Sequence, residues 1–419
     1  MNVVSKWLQK GWLLILASLL FSQFMTGIPG AQSQHRPAQP LVMPTSASQG
    51  DRDVRALEIG KPIERGLSRG ERHSYQISLR ADEFVHVVVE QRGIDVVVAL
   101  FGPGGQQIIE IDSSNGAQGR ERVLFTTVAA GNYLVDVYSL REQAPAGRYE
   151  VRIEEQRLAA PQDRNRVAAY QTFAVGQQLF AQATASSMAK AIDKFIEALP
   201  LWRLAEDQRA EAITLSQIGK GYDLLSEKMK ALEFYNQALR LLQAVNDSAG
   251  EATTLNNIGL IYDSLGERQK ALSYYSRALP ILQTVGDKRV EAYTRSNIGL
   301  AYDSLGEKQK ALDNYKRALQ MLQTVGDRKA EAATLNNIGF VYNTLGEKER
   351  ALEYFGHALT ILRAVGDHHL EAITINNIGF VHESLDEKVK ALEYFNQALP
   401  ILRLVGDRRV EAVTLNNIG

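Results

Sequence analysis

The sequence predicts a multidomain protein: an all-β antiparallel sandwich of jelly-roll character, followed by an all-α superhelical solenoid. Three observations carry this reading. Short runs of alternating apolar and polar residues, separated by turn residues, fill 54–157. A six-residue pattern, Thr254-Leu255-Asn256-Asn257-Ile258-Gly259, returns every 40 residues toward the end of the chain. Between its copies lie paired amphipathic stretches bounded by glycine, with no insertions. A length of 419 residues exceeds one compact core, and 45% hydrophobic with 23% charged residues is the balance of folded protein.

The totals exclude several function classes. A formal net charge of −1 leaves no basic excess to neutralise phosphates, so no nucleic-acid partner is expected. With no cysteine there is no disulfide, no thiolate nucleophile and no Cys-based zinc site.

Residues 1–33 read as an export signal peptide. Lys6 and Lys10 open it, the run from Trp12 to Met25 is apolar except for Ser18, Ser22 and Gln23, and Ala31-Gln32-Ser33 offers small residues for cleavage. The apolar run is shorter than the roughly 20 residues a membrane span needs, so membrane attachment is expected only through an uncleaved signal. The Gln-, Pro- and Ser-rich segment 34–53 reads as a flexible linker. The protein is therefore expected to be exported.

In the β region, Tyr149, Val151 and Ile153 alternate with Glu150, Arg152 and Glu154, and Tyr133, Val135 and Val137 repeat the pattern. The runs Phe84–Val89 and Val96–Phe101 are apolar enough for the core. Gly102-Pro103-Gly104-Gly105, Asn115-Gly116 and Gly131-Asn132 supply turns. Roughly eight strands are expected at this spacing.

These residues resemble the bacterial pre-peptidase C-terminal domain. The likeness runs through His73-Ser74-Tyr75-Gln76-Ile77, Asp95, Leu100-Phe101-Gly102-Pro103-Gly104-Gly105, Ala130-Gly131-Asn132-Tyr133-Leu134-Val135 and Gly147-Arg148-Tyr149-Glu150-Val151. It implies an accessory module of an exported bacterial protein, periplasmic or secreted, that binds envelope or carbohydrate surfaces or assists folding. Some such domains hold calcium on paired acids. Here Val96 and Val97 follow Asp95, so the second acid is missing; no metal is expected, and Asp95 reads as a turn cap.

Beyond residue 162 the marker glycines 219, 259, 299, 339, 379 and 419 stand 40 apart. Leu255, Ile258 and Tyr262 form one buried stripe; Ala271, Tyr275, Ala278 and Leu282 form the other. Gly259 and Ala271 are small where two helices cross. Asp247, Asp287, Asp327, Asp367 and Asp407 are expected N-caps, with Glu251, Glu291, Glu331, Glu371 and Glu411 in the following first turns. Residues 162–206 read as a divergent capping pair, and 207–419 as five full units and a truncated sixth.

This pattern resembles the tetratricopeptide repeat, in the 40-residue variant of kinesin light chain and spindle-orientation adaptors. The resemblance implies a superhelix whose first helices line a concave groove for a peptide or protein ligand, with no cofactor. The implied groove residues are Asn256, Asn257, Asn297, Asn336, Asn337, Asn376 and Asn377, whose amides can donate to and accept from an extended backbone. One turn on, Asp263, Asp303, Asn343 and Glu383 give an acidic tint, and Leu260, Leu300, Phe340 and Phe380 give apolar contacts. The competing reading is that the asparagines tie one unit to the next.

His368-His369 and the charges Glu307, Lys308 and Lys310 read as solvated surface, and no metal-ligand spacing appears. No phosphate loop, nucleophile elbow or HExxH motif is present, so no enzyme is expected within these residues. Because Gly419 falls inside a first helix, the chain is expected to be a fragment. It resembles the opening part of exported bacterial proteins that continue into a CHAT (caspase-like) peptidase domain. That makes a regulatory half of such a peptidase the alternative to a scaffold.

Overall fold

The structure, a computed structural model, describes residues 53–68, 70–111, 118–139 and 146–418. The signal peptide 1–33, the linker apart from Asp53, the Asn115-Gly116 turn and Gly419 lie outside the described residues. A two-sheet β region is followed by thirteen helices among the described residues. The chain divides into two compact units, one reaching Leu241 and the other beginning at Leu242.

Within the first unit, nine strands form two sheets. They are β1 (Val54–Ala56), β2 (Ile63–Leu67), β3 (Arg72–Leu79), β4 (Glu83–Arg92), β5 (Val97–Phe101), β6 (Gln107–Ile111), β7 (Gln118–Thr126), β8 (Gly131–Tyr138) and β9 (Gly147–Leu158). The orders are β1-β3-β8-β5-β6 and β2-β9-β4-β7. All pairings are antiparallel except that short β1 runs parallel to β3. Period-2 alternation decides which side chains meet between the sheets. Tyr75, Val87, Leu100, Val135 and Tyr149 are among those buried there.

The polar ends of two core tyrosines find partners inside. Tyr75 and Tyr149 share a hydroxyl hydrogen bond of 2.5 Å, and His73 Nδ1 lies 2.8 Å from the Tyr149 hydroxyl. Burial holds the His73 imidazole below the ordinary histidine range.

Helix α1 (Pro161–Ala181) starts directly after β9, with proline at its opening where no amide partner is lost. Asp163 in its first turn is fully buried and takes a paired contact from Arg157 on β9, at 2.5 and 2.9 Å. It also accepts from Ala160 N at 2.6 Å. The Arg157 guanidinium lies on the Phe84 ring, 4.8 Å from its centroid, and Tyr170 of α1 packs on the sandwich core. Strand end and helix start are thereby fixed to each other. Helices α2 (Ala185–Leu204) and α3 (Gln208–Leu224) follow, and α4 (Lys228–Ala244) contains the boundary between the units.

Within the second unit the helices are α5 (Ser248–Ser264), α6 (Arg268–Val285), α7 (Lys288–Ser304), α8 (Lys308–Val325), α9 (Arg328–Leu345), α10 (Lys348–Val365), α11 (His368–Ser384), α12 (Lys388–Val405) and α13 (Arg408–Ile418). Odd-numbered helices open each pair. Asp247, Asp287, Asp327 and Asp367 cap them, each accepting from the backbone N–H three residues on at 2.9–3.2 Å. The next first-turn acids reach back to the preceding helix: Gln283 to Glu291 and Gln323 to Glu331 at 3.1 Å, Arg363 to Glu371 at 2.9 Å. Helix α6 ends on Gly286 at φ 78°, the left-handed cap that glycine adopts without strain.

Gly259 is required for packing. A Cβ there would stand 2.4 Å from Tyr275 Cε1, so only a bare backbone lets α5 meet the buried ring of α6. No described helix is long and apolar enough to cross a membrane.

Candidate functional site

The candidate surface is made by the first helices of the second unit. Helices α5, α7, α9 and α11 touch in succession as well as packing on their own partners α6, α8, α10 and α12. The residues singled out in the sequence therefore meet across 40-residue intervals. Two sets separate.

Asn256, Asn336 and Asn376 form an inner set, buried between first helices. Asn256 Oδ1 accepts from Asn297 Nδ2 at 3.1 Å and lies 3.1 Å from Thr294 Oγ1. Asn336 Oδ1 does the same with Asn377 Nδ2 at 3.1 Å and Thr374 Oγ1 at 3.2 Å. Asn376 Oδ1 takes Thr414 Oγ1 at 3.0 Å. Each threonine hydroxyl also reaches the carbonyl four residues back, which fixes its rotamer. This inner set is a structural ladder joining successive helix pairs. Its threonines stood in the repeated motif, but nothing local marked them as partners of residues 38 positions away.

The outer set is less deeply placed. Asn257, Leu260, Phe340, Asn343 and Phe380 are half-buried and Glu383 is exposed, whereas Asn297, Leu300, Asn337 and Asn377 are buried. Phe380 meets Phe395 edge-on, with centroids 5.5 Å apart. Asn297 Oδ1 and Asn337 Nδ2 are buried with no hydrogen-bond partner among the described residues.

The expected acidic tint is answered from within. Asp303 is 2% exposed, and Lys308 Nζ lies 2.5 Å from its Oδ1 and 3.1 Å from its carbonyl. Lys308, expected to be solvated, thus crosses the turn to neutralise a carboxylate. Asp263 is buried 3.7 Å from Arg268 Nε, and Lys348 donates to Asn343 Oδ1 at 2.5 Å. Burial raises both the Asp263 and Asp303 carboxyls above the ordinary aspartate range, against the pull of Arg268 and Lys308 respectively. Among the four acidic-tint positions, Glu383 alone projects a carboxylate.

The adjacent histidines also have partners. His368 Nδ1 lies 3.1 Å from Glu371, and His369 Nε2 lies 2.8 Å from Asp407. Among the described residues no three ligand-type side chains gather as a metal site. One residue passed over in the sequence is Lys220 on α3, which holds the repeat position of Leu260, Leu300, Phe340 and Phe380. It lies 5.3 Å from the Phe180 ring centroid, and burial brings its ammonium down to about 8.

The tetratricopeptide repeat family profile matches residues 229–284, 250–324 and 330–404. Residues 229–404 form a tetratricopeptide-repeat array. Similar solved structures include BtubC (BKLC) from P. vanneervenii, 20% identical over 54% of this chain and 92% of that one, with a TM-score of 0.46. The apo form of RapI is 18% identical over 60% and 95%, with a TM-score of 0.49. A Rap protein complexed with competence and sporulation factor is 15% identical over 60% and 74%, with a TM-score of 0.45. At these identities and TM-scores no function carries over to the tetratricopeptide array. No curated protein matches the chain.

Proposed function

We propose that the first helices of the array form a docking face for an extended peptide or a peptide-like segment of a partner protein, and that the chain acts as a scaffold and not as a catalyst. The carrying observation is the row Asn257, Asn297, Asn337 and Asn377 at one repeat position. Leu260, Leu300, Phe340 and Phe380 stand three residues on, and two buried amide atoms in the row have no internal partner. Amides meet a backbone without regard to its side chains, and the apolar row supplies the area that selects among them. The same reading places this docking outside the cytoplasm, on the strength of residues 1–33.

The test uses an unbiased array of synthetic 12-residue peptides, probed with the whole chain and with the triple variant Asn257→Ala, Phe340→Ala, Phe380→Ala. These positions are half-buried, so the variant is expected to keep its far-ultraviolet helical signal while losing the peptides that wild type retains. Asn297 and Asn377 are unsuited to this test because their amides hold neighbouring helices. Equal retention by folded variant and wild type ends the proposal. For the export part, N-terminal sequencing of the protein from fractionated cells should begin after residue 33; an unprocessed cytoplasmic chain refutes it.

A further inference from the structure

The amide ladder changes character at two of its four junctions. Between α5 and α7, and between α9 and α11, the inner asparagine holds the Nδ2 group of the outer one at 3.1 Å. Between α7 and α9 the inner residue is Ser296, whose side chain is one bond shorter. Among the described residues its Oγ pairs with Thr334 Oγ1, at 3.4 Å. Asn337 Nδ2 is left buried without a hydrogen-bond partner among the described residues, in a residue 6% exposed. Between α11 and α13, Asn376 Oδ1 takes Thr414 Oγ1 at 3.0 Å, and Asn417 Nδ2, in the last turn of α13, is likewise without a partner among the described residues.

The difference has a chemical consequence. An amide whose NH2 group is held from behind can turn only its oxygen toward a guest. Asn297 has its NH2 group held in this way, and its buried oxygen has no hydrogen-bond partner among the described residues. An amide whose NH2 group is not held can rotate by half a turn about its Cβ–Cγ bond without breaking an inner bond, and then offers N–H.

We infer that Ser296 makes Asn337 a reversible rung, able to meet either a C=O or an N–H of the guest backbone, while Asn297 and Asn377 accept N–H only. Ser296 is in this sense a positioning residue: it touches no guest, yet it decides how strictly the guest's backbone register is read at the middle of the row. The inference rests on the peptide-docking reading above.

Two measurements on the whole chain test it. The first needs no guest. Side-chain amide exchange is followed by NMR in protein labelled with ¹⁵N-asparagine, with Asn337→Asp and Asn377→Asp used for assignment. The Asn337 NH2 should exchange about tenfold faster than that of Asn377, and Ser296→Asn should bring the two together. Equal protection in wild type overturns the inference, whether or not Ser296→Asn folds.

The second takes the strongest peptide from the synthetic array and methylates its backbone nitrogens one at a time. Methylation over the held rungs should weaken binding about fivefold in both proteins, the loss of one hydrogen bond. One further position should be tolerant with wild type and lose about fivefold with Ser296→Asn. Identical profiles for the two proteins overturn the inference while leaving peptide docking intact. An array that retains no peptide overturns the docking reading and this inference with it.

Discussion

Replacing Asn336 by alanine tests whether the inner ladder holds the array together. Asn336 Oδ1 is the acceptor for Asn377 Nδ2 at 3.1 Å and lies 3.2 Å from Thr374 Oγ1, all three residues being buried. Thr374 keeps its bond to Leu370 O at 2.9 Å after the substitution, so its hydroxyl is not stranded. Asn377 Nδ2 is stranded. Losing a buried hydrogen bond costs about 1 kcal/mol, and leaving its donor unsatisfied raises the total to about 2–3 kcal/mol. Because repeat arrays are held by nearest-neighbour interfaces, the loss should fall on the α9–α11 contact. The assay is urea unfolding followed by far-ultraviolet circular dichroism, with hydrogen exchange of α9 and α11 to locate the weakening. A double-mutant cycle with Asn377→Ala isolates the pair: removing both partners should recover about 1 kcal/mol relative to the sum of the singles. Additive singles, or a loss for Asn336→Ala within about 0.5 kcal/mol of zero, would refute the ladder.

Other expectations follow from single positions. Gly259→Ala drives a methyl to 2.4 Å from Tyr275 and should destabilise by about 1–3 kcal/mol, whereas Gly356→Ala, with open space around it on α10, should stabilise by about 0.5–1 kcal/mol; paired denaturant melts decide it, and equal effects contradict the packing argument. Asp263→Asn should raise stability at neutral pH. A carboxyl whose folded pKa is raised adds stability below its unfolded value, near 4, and loses that contribution as pH climbs through the folded pKa. The gain from the asparagine should therefore grow upward from about pH 4 and then level off, and a gain largest in acid refutes the sign. Asp386 ends α11 at φ 60°, where the matching turns use Gly266, Gly306 and Gly346, so Asp386→Gly should raise the thermal midpoint, with relief of about 1 kcal/mol of left-handed strain partly offset by unfolded-chain entropy. A lowered midpoint would show that the carboxylate matters more than the backbone.

Much of this was legible in the chain itself. The helix pairs were marked by their glycines and by the apolar stripes, and the caps by Asp287 and its counterparts, because both are decided within a few residues. The strands were marked by period-2 alternation such as Tyr149, Val151 and Ile153. Parallel β1 was not, since three exposed residues carry no pattern that distinguishes one direction of pairing from the other. The candidate surface was legible as a set of positions but not as two sets. Neighbouring asparagines such as Asn336 and Asn337 look alike in sequence, yet the first faces the next helix pair and the second stands in the outer row.

The charge at the surface shows the same divide. The acids at 263 and 303 were plain in the sequence, and so were the cations five residues later. That Lys308 turns back across the helix end onto Asp303 depends on the tight turn bringing the two together in a place water has left. The sequence by itself determined where the repeat helices are capped, which faces are apolar, and the interval at which the array repeats, because these are local preferences multiplied by periodicity. Only the tertiary structure decided which amides are held and which are left over. A hydrogen bond between residues 41 positions apart, such as Asn336 with Asn377, exists only once stacking has placed one helix against the next.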